Sequence, residues 1–360
     1  MTKGDVGGAQ THVVSLAAGQ RRAGHDVTVA AGTDGPALDT ARASDVTVEL
    51  VESLAWSVSA RADLAALREL RQLVRSTRPD IVHTHSSKAG LLTRIAARRE
   101  RVTSVYTAHG WPFQRGAASL QRAMSIGGEL LGGRLGDAVI CLTEHEAALA
   151  RRARIARPDR IWVVPNAVPD IPDSLRWRER PGEAPHLVMV ARFAPPKLQS
   201  SVVRTLALLL DVPWTMTFVG DGPQLQRCRS ESRALIGDRA RFVGRRDDVA
   251  RLLSASDVAL LWSRYEGMPI ALMEAMRTGL CCVGSDLPGV RELFGRPPAG
   301  IVASDERKLA SALRSVLGDA TTRQALGADA RRRYESAFTL DRMLHATDEV
   351  YATVLGRRRG

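Results

Sequence analysis

The chain has 360 residues, 44% of them hydrophobic and 25% charged, which suits two domains of ordinary size and argues against wholesale disorder. Its net charge of +12 is shared evenly, with 22 basic and 16 acidic residues before Asn166 and 29 and 23 from there on, so one dedicated nucleic-acid module is not expected. Cys141, Cys228, Cys281 and Cys282 form no C-x-x-C pair, and no apolar run reaches ~18 residues, which argues against a zinc ribbon, a disulfide framework and a membrane span.

In chain order, short β-rich runs alternate with helix-length amphipathic stretches. Strands are predicted over 25–31, 45–51, 80–85, 103–109, 137–143 and 161–165, with helices near 9–23, 60–77, 87–99, 118–133 and 144–154. Residues 166–185 hold four prolines without periodicity and read as a linker. Strands then recur over 186–192, 214–220, 240–244, 257–263, 280–285 and 300–303, before a stretch over 305–356 that reads as helical throughout. Near-continuous apolar strands separated by helices predict parallel sheets covered on both faces. The expected architecture is two doubly wound Rossmann-like domains, 1–165 and 186–335, facing a cleft, with a final helix over 336–360 that returns to the first domain.

The chemistry-bearing residues cluster at predicted strand ends. "SRYEGMPIALMEAMRTG" carries Glu266 in a strand-to-helix loop and Glu274 roughly two turns into the following helix. Pro269 suits the first helical turn, and the unpaired amides around Met268–Ala271 would favour a phosphate, which puts Gly267, Met268, Pro269 and Ile270 together in a donor-binding loop. From these residues alone, the two acids are either solvated or grip vicinal hydroxyls on either side of a diphosphate. "VARFAPPK" offers Arg192 and Lys197 to the same zone, or simply two surface cations. "VGDGP" lacks G-x-G-x-x-G, so a nicotinamide site has little support. Gly244 and Arg245 either approach a nucleobase or make a turn. Gly7 and Gly8 open a helix after a glycine loop and would let a phosphate or sugar approach. His83, His85 and His109 end strands; His109, followed by Gly110, is the best placed for a cleft.

In this order, "GGAQTHV", "DIVHTHSSKAG", "TAHGWPF", "VVPNAV", "VARFAPPK", "FVGDGP", "FVGRRDDV" and "EGMPIALMEAM" resemble glycosyltransferase family 4, the retaining GT-B enzymes, over nearly all of residues 4–303. Within that family the resemblance is to bacterial enzymes of capsular and exopolysaccharide assembly. It implies a nucleotide-diphosphate-sugar donor, a glycan or polyprenyl-diphosphate-linked acceptor, no cofactor and no metal. Arg192, Lys197, Gly7 and Gly8 would hold the diphosphate, Glu266 the donor sugar and Glu274 the ribose, with His109 near the reacting carbon. Retention without an enzymic nucleophile implies front-face displacement, the leaving phosphate helping to take the acceptor proton.

Three departures accompany the resemblance: Leu198 after Lys197, no proline after Gly279, and only "MTKGDV" before Gly7, where the family has an apolar strand. The first domain is therefore expected to lack its central strand, with Met1 a misassigned internal start or the chain a truncated relative. Two alternatives stay open: a nucleotide-sugar epimerase of the same architecture, and a catalytically silent partner subunit. A cytoplasmic enzyme, peripheral on an anionic inner membrane face, is the expected setting, with residues 150–160 and Arg98, Arg99 and Arg101 as the basic surface.

Overall fold

A computed structural model of the chain describes residues 4–5, 7–55, 59–111, 119–180 and 182–359. Residues 1–3 and 6, on which the start-site expectation falls, and Pro112 and Phe113 of the quoted motif lie outside the described residues. The chain divides into two units: residues 1–167 with 340–360, and residues 168–339.

The first unit runs α1 (Gly8–Arg22), β1 (Thr28–Ala31), α2 (Pro36–Arg42), β2 (Thr47–Leu50), α3 (Ala60–Thr77), β3 (Ile81–His85), α4 (Ser87–Arg99), β4 (Thr103–Ala108), α5 (Ser119–Leu135), β5 (Ala138–Cys141), α6 (Glu144–Arg152) and β6 (Ile161–Val163). All its strand pairs are parallel, in two separate sheets: β1–β2, and β3–β4–β5–β6. Among the described residues no strand joins β1 to β3. β4 and β5 are buried along their whole length; β5 reads accordingly as an unbroken apolar run, whereas β4 also buries Thr103, Ser104 and Thr107. α3 starts where the Ser59 hydroxyl accepts the Ala62 N–H and stops where Arg78 turns left-handed at φ 45°.

The second unit runs β7 (His186–Val190), α7 (Gln199–Ala207), β8 (Thr215–Val219), α8 (Leu225–Ile236), β9 (Ala240–Phe242), α9 (Val249–Ser254), β10 (Val258–Leu261), α10 (Ile270–Thr278), β11 (Cys281–Ser285), α11 (Pro288–Phe294), β12 (Ile301–Ala303), α12 (Glu306–Gly318) and α13 (Ala320–Ala337). Its six parallel strands follow the order β12–β11–β10–β7–β8–β9. Chain direction across the sheet reverses between β7 and β10, so loops leaving these two neighbours in opposite directions open a crevice at their carboxyl ends.

Residues 168–180 and 182–185, read from sequence as linker, are tied into the second unit. The Trp177 N–H donates to the Thr278 carbonyl at 2.8 Å, and Arg180 meets Asp257 at 3.0 Å. The run expected to be helical throughout is broken twice: Asp319 caps α13 by accepting the Thr321 and Thr322 N–H groups, and α14 (Leu340–Arg359) starts afresh. α14 belongs to the first unit. Its Met343, Val350 and Val354 share a core with Leu16, Val105 and Ile140, and Gln20 bonds Asp348 at 2.6 Å.

Candidate active site

In the second unit, the loops after β7 and β10 are joined along their backbones. Leu198 N–H donates to the Trp262 carbonyl at 3.0 Å and Arg264 N–H to the Pro196 carbonyl at 3.1 Å. Lys197 therefore faces Ser263 across a short antiparallel bridge. The Lys197 ammonium is ion-paired with the Glu266 carboxylate, with only 19% and 11% of the side chains exposed. Two residues 69 positions apart, expected on one ligand, thus meet at the switch between β7 and β10.

Arg192 is exposed, and its backbone is fixed from behind because buried Gln199 donates from Nε2 to its carbonyl at 3.0 Å. Phe193 beside it exchanges backbone bonds with Asp221 and Gln224. The second glycine of "VGDGP" serves that approach: Gly222 lies at φ 148°, and a Cβ there would stand 2.5 Å from the Phe193 carbonyl. The motif without a dinucleotide fingerprint is a brace for the Arg192 loop. The Gly244 carbonyl accepts the Gly220 N–H at 2.8 Å, while the exposed Arg245 reaches Asp247 at 4.0 Å.

Two details of α10 correct the sequence reading. Pro269 is the N-cap rather than part of the first turn, its carbonyl accepting the Met273 N–H at 3.2 Å. Glu274 is the fifth residue of the helix, about one turn in rather than two. No side chain caps this end, so the first-turn amides of Ile270, Ala271 and Leu272 are left to an outside acceptor. Burial pushes the Glu274 carboxyl upward, with Arg277 opposing the shift. Gly267 and buried Met268 complete the loop. A Cβ on Gly289 would fall 1.4 Å from the Gly267 carbonyl, so α11 packs directly on the turn that presents Glu266.

In the first unit, Gly7 is the extended N-cap of α1 and Gly8 its first residue. His85 and His109 meet, Nδ1 to Nε2, at 3.1 Å. His83 is engaged at both nitrogens, by the Tyr351 hydroxyl at 2.6 Å and Thr107 Oγ1 at 2.7 Å. Buried His12 joins them from α1, its ring centre 5.0 Å from that of His109 and 5.5 Å from that of His85. Its Nδ1 lies 2.9 Å from Asn166 Oδ1. Burial depresses His12 to about 4 and His83 to about 3, against the Asn166 bond in the first case and with His12 in the second, so both rings are neutral near pH 7. Burial also takes His85 well below its ordinary value.

Sequence reasoning did not single out His12, Asn166, Gln199 or Gly289. His12 and Asn166 stand inside quoted motifs, but their contact spans 154 positions and follows no local period. The close approach at Gly289 also has no local pattern; "PGV" beginning a helix was the available signal.

A parallel sheet reversing between β7 and β10, with cations after one and two acids after the other, is a doubly wound domain with a polar ligand crevice at its switch point. The sequence model of Glycosyltransferase Family 4 matches residues 6–170, and that of Glycosyl transferases group 1 matches residues 184–319. The chain belongs to the family-4 type of retaining GT-B glycosyltransferases. One relative is the UDP-Gal:alpha-D-GlcNAc-diphosphoundecaprenol alpha-1,3-galactosyltransferase of Escherichia coli, 29% identical over 73% of this chain and 72% of its own. Another is the glycogen synthase of Mycobacterium tuberculosis, 28% identical over 99% and 92%. Among solved structures, Anabaena HepE in complex with UDP and glucose superposes with a TM-score of 0.84 at 18% identity, covering 98% of both chains. Sucrose-phosphate synthase from Thermosynechococcus elongatus gives 0.82 at 18% identity, covering 99% of this chain and 96% of its own. Both share the fold.

Proposed function

We propose that the enzyme takes a hexose from a uridine-diphosphate sugar and adds it to a sugar carried on a lipid diphosphate. The observation that carries this reading is the Lys197–Glu266 pair beside the uncapped start of α10. A diphosphate there would lie against Arg192, Lys197 and the amides of Ile270–Leu272. Glu266 would take hydroxyls of the donor sugar and Glu274 those of the ribose, with Gly244 and Arg245 on the base side. In the displacement, the bond from C1 to the phosphate oxygen breaks as the acceptor oxygen bonds to C1 on the same face. The acceptor proton passes to the leaving phosphate, whose charge Arg192 and Lys197 stabilise. No metal is required for this step. For His109, Gly7 and Gly8 the family resemblance supplies the proposed roles.

Support for the donor comes from the relative named for UDP-Gal and from HepE, solved with UDP and with UDP-glucose. Support for the acceptor comes from the same E. coli relative, named for a diphosphoundecaprenol-linked sugar. No helix among the described residues is long and apolar enough to cross a membrane. In the first unit, Arg98, Arg101, Arg160 and Arg357 line one groove of about 420 Å3, a basic surface suited to anionic lipid headgroups. The test is a screen of UDP-hexoses with a lipid-diphosphate-linked N-acetylhexosamine, read by mass spectrometry. A lipid product one hexose heavier supports the reading. Donor converted to another UDP-hexose without acceptor would instead establish an epimerase, and no UDP binding at all would leave the silent-subunit alternative standing.

A further inference from the structure

Four imidazoles of the first unit gather toward the carboxyl ends of β3 and β4, and only His109 has a proposed part in the transfer. The strand register explains how two of the others reach it. His83 pairs with Val105 and His85 with Thr107, so both rings and the Thr107 side chain share one face of the sheet. His109 lies two residues beyond Thr107, just past the end of β4. Each histidine of β3 bonds the residue two places beyond its own partner. His83 Nε2 meets Thr107 Oγ1 at 2.7 Å, and His85 Nδ1 meets His109 Nε2 at 3.1 Å. This ladder is anchored in the core, where the Tyr351 hydroxyl lies 2.6 Å from His83 Nδ1. It passes from His83 to His85 through ring packing, with centres 4.4 Å and planes 31° apart.

The last rung differs from the others. His83 and His85 are strand residues, whereas His109 is followed at once by Gly110 at φ 88°, where the chain leaves the sheet. A side chain on a loop takes its rotamer from its neighbours, because no strand pairing fixes its backbone. His85, itself only 6% exposed, supplies one such contact. His12 supplies a second: its ring meets that of His109 edge-on, 5.0 Å between centres, while Asn166 holds its Nδ1 at 2.9 Å. Burial keeps His12, His83 and His85 neutral near pH 7, so the His85–His109 contact joins one donating and one accepting nitrogen. A cluster that only stabilised the fold would end in the core. This one ends on the histidine read as lying near the reacting carbon.

We propose that His85 is a positioning residue of the transfer: through its Nδ1 it sets the orientation of the His109 ring, with His12 as a second brace. The inference rests on the reading of His109 as lying near the reacting carbon, and adds that His85 imposes the orientation of its ring. Misplacing such a group by about 1 Å costs on the order of 100-fold in rate.

Turnover of the full chain is read as UDP released from UDP-glucose or UDP-galactose with a lipid-diphosphate-linked N-acetylhexosamine, beside a melt of every variant. His85→Ala should lower kcat about 10- to 100-fold and change the donor KM less than about threefold, because His85 acts on the sugar only through His109. His85→Asn, whose amide falls near the place of Nδ1, should recover most of that loss. His85→Gln, whose amide falls near the place of Nε2, should not, although both variants melt alike. His109→Ala should lose at least as much as His85→Ala, and the double variant no more than His109→Ala alone. Three results would overturn the proposal and leave the reading of His109 intact: losses that multiply in the double variant, an unchanged kcat in His85→Ala beside an impaired His109→Ala, or Asn and Gln variants whose turnover follows Tm alone. A fully active His109→Ala would overturn both. Where a His85 variant fails to fold, or neither donor is turned over, nitrogen-15 spectra of the histidine rings in the unsubstituted chain decide. One protonated and one bare nitrogen are expected across the His85–His109 contact; two protonated or two bare nitrogens would overturn the proposal.

Discussion

Lys197→Ala removes the partner of a carboxylate that is only 11% exposed, so its effect separates a working ion pair from two surface charges. Exposed pairs contribute about 0.2–1 kcal/mol, whereas breaking a buried one costs about 3–5 kcal/mol. With 19% and 11% of the side chains exposed, this pair lies nearer the second limit. Allowing for residual water, we expect about 2–3 kcal/mol, most of it from leaving Glu266 charged and unpartnered. For a unit spanning residues 168–339, that corresponds to a fall in Tm of roughly 4–12 °C. Glu266→Gln leaves a neutral group, so the double variant should recover about half of that loss. The assay is a double-mutant cycle over Lys197→Ala and Glu266→Gln, read by Tm and by UDP-sugar affinity. Strictly additive Tm changes, or a Lys197→Ala protein as stable as its parent, would refute the reasoning.

Arg192→Ala should leave Tm nearly unchanged, because the side chain is exposed, yet cut turnover about 100- to 1,000-fold, the effect of losing one donor to developing charge; steady-state kinetics beside a melt checks both. Glu274 titrates higher folded than unfolded because it is buried, so its contribution to stability is complete below the ordinary carboxylate range and lost as pH rises through the raised folded value. Glu274→Gln should therefore raise Tm near neutral pH but not at about pH 4, while weakening UDP-sugar binding about ten- to hundredfold, as a pH series of melts and titration calorimetry would show. Gly289→Ala places a Cβ where the Gly267 carbonyl stands; about 1–3 kcal/mol of overpacking and a larger loss of turnover, from displacement of Glu266, should appear in melts and kinetics.

Much of this architecture was legible because its signals are local. Each predicted strand has an observed counterpart, shortened at the ends as strands are once polar flanks are excluded, and α3 and α4 occupy 60–77 and 87–99 as expected. α2 was missed because seven residues after Gly35 give too short a period to register. The helical tail was read as unbroken because Asp319 was not recognised as a cap. In the second unit, motif order alone put Lys197 and Glu266 on one ligand, and the crossing between β7 and β10 supplies the reason they meet. The histidine cluster was half visible. Strand ends gave His83, His85 and His109, but His12 enters on a helix and its partner Asn166 only after β6, through contacts that no local window contains.

The measurement closest to the central claim is proton NMR of the transfer reaction, run with an α-linked UDP-hexose and a lipid-diphosphate-linked sugar acceptor. The account predicts acceptor-dependent release of UDP and a new glycosidic linkage in the α configuration, lost in Arg192→Ala. A β-linked product, or transfer that proceeds unchanged without Arg192 and Glu266, would contradict it.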